Sequence, residues 1–131
     1  MSDEVKTAWW ALRVGLGVGP LVAGADKFFN LLADWSMYLS PLVEQVVPVS
    51  AETLMRVFGV VEIAVGLVIL AGFTRLGGYV AMGWLLAIAA NLVTTGMFYD
   101  LAVRDVEIAL AAFTLARLSE ARAAAASSRM H

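Results

Sequence analysis

One carboxylate lies in the middle of a long apolar stretch, and its setting is the first clue to chemistry. The stretch RVFGVVEIAVGLVILAGF runs from Arg56 to Phe73, and Glu62 is the acidic residue within it. Arg56, Gly59, Glu62 and Gly66 recur at spacings of 3, 3 and 4 residues, which places them on one face of a helix. The carboxylate therefore shares its face with small residues and a cation.

A similar stripe occurs earlier in the chain. Arg13, Gly17, Pro20, Gly24 and Lys27 follow one another at spacings of 4, 3, 4 and 3 residues, again on one helical face. Glycine allows two helix backbones to approach closely, as helix interfaces in lipid require. We therefore expect both stripes to face the interior of the protein.

Glu62 needs a partner if its helix crosses a membrane. A charge at the centre of a bilayer costs about 2.5–3.5 kcal/mol on insertion scales, so the carboxylate should be paired, neutral or in contact with water. Lys27, Arg13 and Asn91 are the partners we expect first. The full set of candidates for a ligand-binding site or a buried polar network is Arg13, Lys27, Arg56, Glu62, Asn91, Arg104 and Asp105. Two interpretations fit this pattern equally. The residues form either a buried network that fixes helix register or a pocket for a ligand head group or a proton.

Other kinds of chemistry find little support. The chain has no cysteine, and its single histidine is the terminal His131, so we expect no metal ligands and no covalently bound cofactor. No catalytic residue can be identified, which leaves open whether the protein is an enzyme. The net charge of -2 gives no reason to expect a nucleic-acid partner.

The composition indicates lipid as the solvent. Hydrophobic residues make up 61% of the 131 residues, more than the roughly 45–50% of soluble domains. A helix needs roughly 20 apolar residues to cross a bilayer. We predict an all-α integral membrane protein: a four-helix bundle forming a single domain over 1–131, with spans at about 8–26, 52–73, 76–98 and 101–119 and a polar C-terminal tail at 120–131.

The segment between the first two spans is long and apolar, and we predict a short interfacial helix in it. Ser40 and Pro41 resemble a helix start, and Pro48 would end the helix, so it would cover 41–47. It is interpreted either as a membrane-anchored loop or as a lid over a pocket. Ser50 is expected to cap the second span.

The distribution of basic residues predicts the orientation. Five lie on one side of the predicted spans and three on the other: Lys6, Arg75, Arg117, Arg122 and Arg129 against Lys27, Arg56 and Arg104. Basic residues favour the cytoplasmic side, so both termini are expected there. The membrane would be the inner (cytoplasmic) membrane of a bacterium.

Three motifs in this order resemble the DoxX family of small four-helix bacterial membrane proteins, which includes DoxD-like domains. They are GLGVGPLVAGADKF after Arg13, GVVEIAVGLVILAGFTRLGG, and YDLAVRDVEIALAAFTLARL. The resemblance covers about residues 8–120. The family is similar to the membrane subunit of a thiosulfate:quinone oxidoreductase, and other members are associated with redox-stress complexes. It shares no single catalytic motif, so the resemblance assigns no catalytic residue.

The resemblance implies a membrane subunit of an oxidoreductase system that interacts with quinone or lipid. A partner protein would then supply the redox cofactor, since this chain's own side chains do not carry electrons. Two alternatives remain: a non-catalytic accessory subunit of a larger membrane complex, and a small transporter or proton-conducting bundle. Membrane lipids and either a larger complex or further copies of the chain are the expected partners.

Overall fold

The computed structural model of the chain describes residues 2–29, 41, 45 and 50–130. Four α-helices are defined in this part: α1, Asp3–Asp26; α2, Ala51–Leu70; α3, Thr74–Thr94; and α4, Tyr99–Met130. The all-α prediction is confirmed for the described residues. The predicted helix over 41–47 and its role as a lid lie almost wholly outside them.

Local signals explain where the helices begin and end. The Ser2 hydroxyl accepts a hydrogen bond from the Val5 amide, and Ser50 does the same for Thr53 at 3.2 Å, so both serines act as N-caps. The prediction for Ser50 is confirmed. Gly72, at φ 110°, makes the sharp turn between α2 and α3, a conformation that glycine adopts without strain.

The helices α1 and α2 are antiparallel and approach each other at two pairs of glycines. A Cβ atom placed on Gly24 would lie 2.5 Å from the Gly59 carbonyl oxygen, and one on Gly66 would lie 2.5 Å from the Gly17 carbonyl oxygen. Such contacts are too short for any side chain. The two glycine stripes of the sequence are therefore the surfaces through which α1 and α2 pack.

The helices α3 and α4 form the second close pair. A Cβ atom on Gly78 would lie 2.8 Å from the Ala112 carbonyl oxygen, so small residues again set the distance between backbones. The two pairs meet through α2 with α3 and through α1 with α4. At one end, the Trp9 indole donates a 2.9 Å hydrogen bond to the Ser119 hydroxyl, whose oxygen lies 2.7 Å from that of Thr74.

Three helices are long and apolar enough to cross a membrane: Asp3–Asp26, Thr53–Leu70 and Thr74–Thr94. The third ends earlier than the predicted span at 76–98, because Gly96 and Phe98 adopt positive φ angles of 75° and 61°. The helix α4 is not among the three. It also extends beyond the predicted span, through the predicted polar tail to Met130, since the alanines at 123–126 have high helix propensity.

Candidate functional site

A cavity of about 800 Å³ lies between the four helices. All four contribute to its wall, in contrast to the close helix–helix contacts that glycines make elsewhere. Its lining residues are Ala11, Leu12, Gly15, Leu16, Gly19, Pro20, Ala23, Lys27, Met55, Phe58, Glu62, Val65, Ala81, Trp84, Leu85, Ile88, Asn91, Leu92, Leu101, Arg104, Asp105, Ile108 and Ala111. A volume of this size is within the usual range for small-molecule sites.

A buried ion pair forms part of this wall. The Lys27 ammonium donates a hydrogen bond of 2.8 Å to Oε2 of Glu62, and the side chains are only 6% and 12% exposed. The Trp84 indole N–H lies 3.4 Å from Oε1 of the same carboxylate. The Glu62 carboxylate thus accepts hydrogen bonds from one cation, Lys27, and one neutral donor, Trp84. Of the three partners expected for it, Lys27 is the one in this ion pair.

Helix geometry explains how Lys27 reaches Glu62. Side chains tilt toward the N-terminus of their own helix, so Lys27, just past the last residue of α1, extends back along α1. It passes over Gly59, where an added Cβ atom would lie 3.1 Å from the Lys27 Cβ. Gly59 is nearly one turn before Glu62 on the same face of α2. The glycine therefore makes room for the lysine stem that crosses to the carboxylate.

The polar lining residues are concentrated at one end of the cavity. Asn91 is near the end of α3, and Arg104 and Asp105 are near the beginning of α4, with Lys27 just past the end of α1. Asp105 interacts electrostatically with Arg104, Glu62 and Lys27. Five of the seven predicted site residues thus line one cavity.

Toward the other end the cavity wall is apolar. Leu12 and Leu16 on α1, Val65 on α2, Ala81 on α3 and Ala111 on α4 line this part. The lining of α1 alone extends from Ala11 to Lys27, which is about 24 Å at 1.5 Å per residue. The cavity is therefore elongated along the helices, with polar groups at one end only.

The remaining two predicted site residues lie elsewhere. Arg13 donates hydrogen bonds to the carbonyl oxygens of Ile69 and Leu70, at 3.3 and 2.6 Å. It thereby satisfies carbonyl groups at the C-terminal end of α2, where a cation also complements the helix dipole. The expectation that Arg13 pairs with Glu62 was wrong, because the guanidinium is held at this opposite end. Arg56 is exposed and does not line the cavity.

A second polar cluster, at the end of the molecule where α2 joins α3, was not predicted. Glu120 accepts a short hydrogen bond from the Tyr79 hydroxyl and pairs with Arg117 at 2.9 Å and Arg75 at 3.4 Å. The Tyr79 hydrogen bond, with the two nearby guanidinium groups, holds the pKa of Glu120 below its ordinary value. Only Arg117 and Glu120, three residues apart on one helix, could have been paired from the sequence.

Two kinds of site were sought among the described residues: a possible metal site and buried polar atoms without a partner. These residues contain no cluster of three or more acidic or histidine side chains that could hold a metal ion. They also contain no buried side-chain nitrogen or oxygen without a hydrogen-bond partner. The fully buried side-chain nitrogen and oxygen atoms at the polar end of the cavity thus all have hydrogen-bond partners.

Comparison of the chain with protein-family models, with curated proteins and with solved structures gives no match in any of the three. The cavity and its polar end are therefore the basis on which a function has to be assigned.

Proposed function

We propose that this chain is a DoxX-type integral membrane protein with a four-helix transmembrane bundle in a bacterial inner membrane and both termini in the cytoplasm. Three helices that are long and apolar enough to cross a membrane support this proposal. Large apolar side chains on their outer surfaces are exposed, such as Val18, Val60 and Val80. Lipid would cover these surfaces, which water would solvate poorly.

The fourth helix fits the same proposal despite its charges. Val103, Val106, Leu110 and Phe113 are exposed large apolar residues, and their spacings of 3, 4 and 3 residues place them on one face of α4. Asp105, which lines the cavity, lies on another face. An apolar outer face with the charges near the helix end is the arrangement expected of a membrane-facing helix in a polar-lined bundle.

We further propose that the cavity binds a quinone or a lipid, and that the protein is the membrane subunit of an oxidoreductase system. The observation that carries this proposal is the elongated cavity, apolar along most of its length and polar where Lys27, Glu62 and Trp84 meet. A ligand with a polar head and an apolar chain matches that distribution. The Lys27 ammonium and the Trp84 indole could each donate a hydrogen bond to a carbonyl or hydroxyl oxygen of the head.

A direct test is to purify the protein in a mild detergent and identify co-purifying small molecules by mass spectrometry. We expect a stoichiometric quinone or neutral lipid with the wild type. The Lys27→Met/Glu62→Leu double variant, which removes both charges together, should lose it. Arg56→Gln is the matched control, because this exposed residue does not line the cavity, and it should keep the ligand.

The second candidate function is a structural accessory subunit without a ligand of its own. The observation that favours it is the ion pair itself, because Lys27 and Glu62 satisfy each other without a bound molecule. In the same experiment, a stoichiometric large membrane protein together with no small ligand would support this candidate and contradict the first. A proton-conducting bundle ranks third, since four helices would need further copies to enclose a path.

The proposed orientation can be tested separately, because the chain has no cysteine. Intact cells that produce the single-cysteine variants Ser36→Cys or Ser127→Cys would be treated with a membrane-impermeant thiol reagent. We expect labelling of Ser36→Cys only. Labelling of Ser127→Cys without Ser36→Cys would show the opposite orientation.

A further inference from the structure

We propose that the cavity opens sideways into the lipid between α1 and α4, past Gly15 and Gly19, and takes up an uncharged single-chain amphiphile directly from the bilayer. This inference rests on the proposed function, because it requires helices in a membrane and a cavity that binds a ligand. It adds the route of entry, the residues that form it and the charge of the ligand head.

The exposure of the lining residues locates the opening. Ala11, Gly15 and Gly19 on α1 and Arg104 on α4 line the cavity and are nevertheless exposed. The lining residues on α2 and α3 are buried or half-buried. The rim of the cavity is therefore formed by α1 on one side and α4 on the other.

The contacts between helices agree with this location. α1 is held tightly against α2 by its glycine pairs, and α3 is held against α4. The interface between α1 and α4 is the smallest of the four, and its Trp9–Ser119 hydrogen bond lies at the end away from Lys27. Beyond that contact, the gap between the two helices leads into the cavity.

Gly15 and Gly19 keep this gap free of side chains. A Cβ atom added at either position would meet nothing within 4 Å, in contrast to the interface glycines Gly17 and Gly24. Packing therefore does not require glycine at 15 or 19. The two residues, one helical turn apart, instead leave an open strip along α1, next to exposed valines such as Val18 that would contact lipid.

The charges of the cavity wall indicate an uncharged head group. The ionisable lining residues are two cations, Lys27 and Arg104, and two carboxylates, Glu62 and Asp105, so with all four ionised the wall carries no net charge. The best-positioned cation already has its counter-ion at 2.8 Å. At Lys27 a phosphate head would compete with Glu62, whereas a carbonyl or hydroxyl head can join the existing hydrogen bonds. The elongated apolar part of the cavity suits one chain.

The test measures binding kinetics in lipid nanodiscs by quenching of Trp84 fluorescence, with Trp84→Phe as the background. Three probes are used: a ubiquinone analogue with a ten-carbon tail, a brominated monoglyceride and a brominated lysophosphatidylglycerol. The first two share an uncharged oxygen-bearing head and distinguish a quinone from a neutral lipid, and the third is anionic. The variants are Gly15→Leu/Gly19→Leu and, as the matched control, Gly83→Leu, which is equally open but does not line the cavity.

Side chains at the rim should obstruct entry and exit alike. We expect the Gly15→Leu/Gly19→Leu variant to slow association and dissociation of an uncharged probe by about tenfold each, with little change in Kd. Gly83→Leu should match the wild type, and the anionic probe should bind at least about tenfold more weakly than the uncharged ones. Damage to the site itself would instead raise the dissociation rate.

Several results would overturn the inference. Unchanged rates in the Gly15→Leu/Gly19→Leu variant, or equal slowing by Gly83→Leu, would refute the route, and tight binding of the anionic probe would refute the uncharged head. If light scattering showed that Gly15→Leu/Gly19→Leu converts a wild-type dimer into a monomer, the strip would be an interface between two copies. Failure of every probe to bind the wild type would instead count against the proposed function as a whole.

Discussion

Replacing Glu62 with glutamine tests whether the buried ion pair is what its geometry indicates. The substitution preserves side-chain shape and removes the negative charge, so the Lys27 ammonium remains in a site where its side chain is 6% exposed. Unit charges 2.8 Å apart attract each other by about 6 kcal/mol at an effective dielectric constant of about 20. The amide oxygen can still accept a hydrogen bond, which retains about 1 kcal/mol.

The net loss should therefore be large. Removing one partner of a buried pair typically costs about 3–5 kcal/mol, and we expect Glu62→Gln to lower the free energy of unfolding by this amount. Reversible unfolding in mixed detergent micelles, followed by circular dichroism, would measure it. The control is the Lys27→Met/Glu62→Leu double variant, which leaves no charge stranded and should be within about 1 kcal/mol of the wild type or more stable.

The two measurements separate the possible outcomes. A Glu62→Gln protein as stable as the wild type would refute the ion pair and favour a protonated carboxyl group that an amide can replace. A double variant as unstable as the single one would show that the loss comes from disturbed packing rather than from the stranded cation.

Two further predictions concern the helix interface and the cluster around Glu120. Gly24→Ala should destabilise the protein by about 1–3 kcal/mol, because its Cβ atom would lie 2.5 Å from the Gly59 carbonyl oxygen. In the control Gly19→Ala, the added Cβ atom meets no other atom, so this variant should be neutral or stabilising by up to about 1 kcal/mol. Equal effects of the two substitutions in the same unfolding assay would contradict the close approach of α1 and α2. The lowered pKa of Glu120 means that its interactions stabilise the fold above the pKa of the unfolded state and are lost as the pH falls through the lower folded-state pKa. The difference in Tm between wild type and Glu120→Gln should thus be largest near neutral pH and disappear once the pH has fallen below the lowered folded-state pKa. A difference that grows on acidification would refute the assignment.

The helices and the first helix interface could be predicted from the sequence because their signals are local. Serine caps, apolar length and the repeat of glycines on one face each depend on a few neighbouring residues. The glycine stripes predicted which faces of α1 and α2 lie inside the protein, and the contacts of Gly24 with Gly59 and of Gly17 with Gly66 are on those faces. Lys27 was one of the three partners expected for Glu62 from the same stripes, and it is the one that forms the ion pair.

The misplacement of Arg13 has a physical explanation. The spacing put Arg13 on the same stripe as Lys27, but the position along the helix decides what a side chain can reach. Arg13 lies 14 residues before Lys27, about 21 Å along α1 at 1.5 Å per residue. At that level the antiparallel α2 is ending, and its free carbonyl groups attract the guanidinium more readily than a distant carboxylate.

The contacts of α4 were harder to predict because they join residues far apart in the sequence. Trp9 and Ser119 are 110 residues apart, and Tyr79 and Glu120 are 41 apart. Single tryptophan, serine or tyrosine residues carry no periodic signal that identifies such partners. The sequence indicated a polar pocket but not its size or position, since the volume of the cavity depends on how far α1 and α4 diverge rather than on any one residue.

The glycines of α1 and of its interface with α2 fall into two groups, and the contrast bears on the proposed route of entry. At the α1–α2 interface, an added Cβ atom would collide with a backbone oxygen at Gly24, Gly59 and Gly66 and with the Leu70 side chain at Gly17. Packing alone therefore accounts for these four glycines. Gly15 and Gly19 meet no atom, although glycine in a helix costs about 1 kcal/mol relative to alanine. A purely structural subunit would gain stability from larger residues there. An open strip beside a cavity is what a protein needs if a molecule must pass between its helices, which is the role proposed above for Gly15 and Gly19.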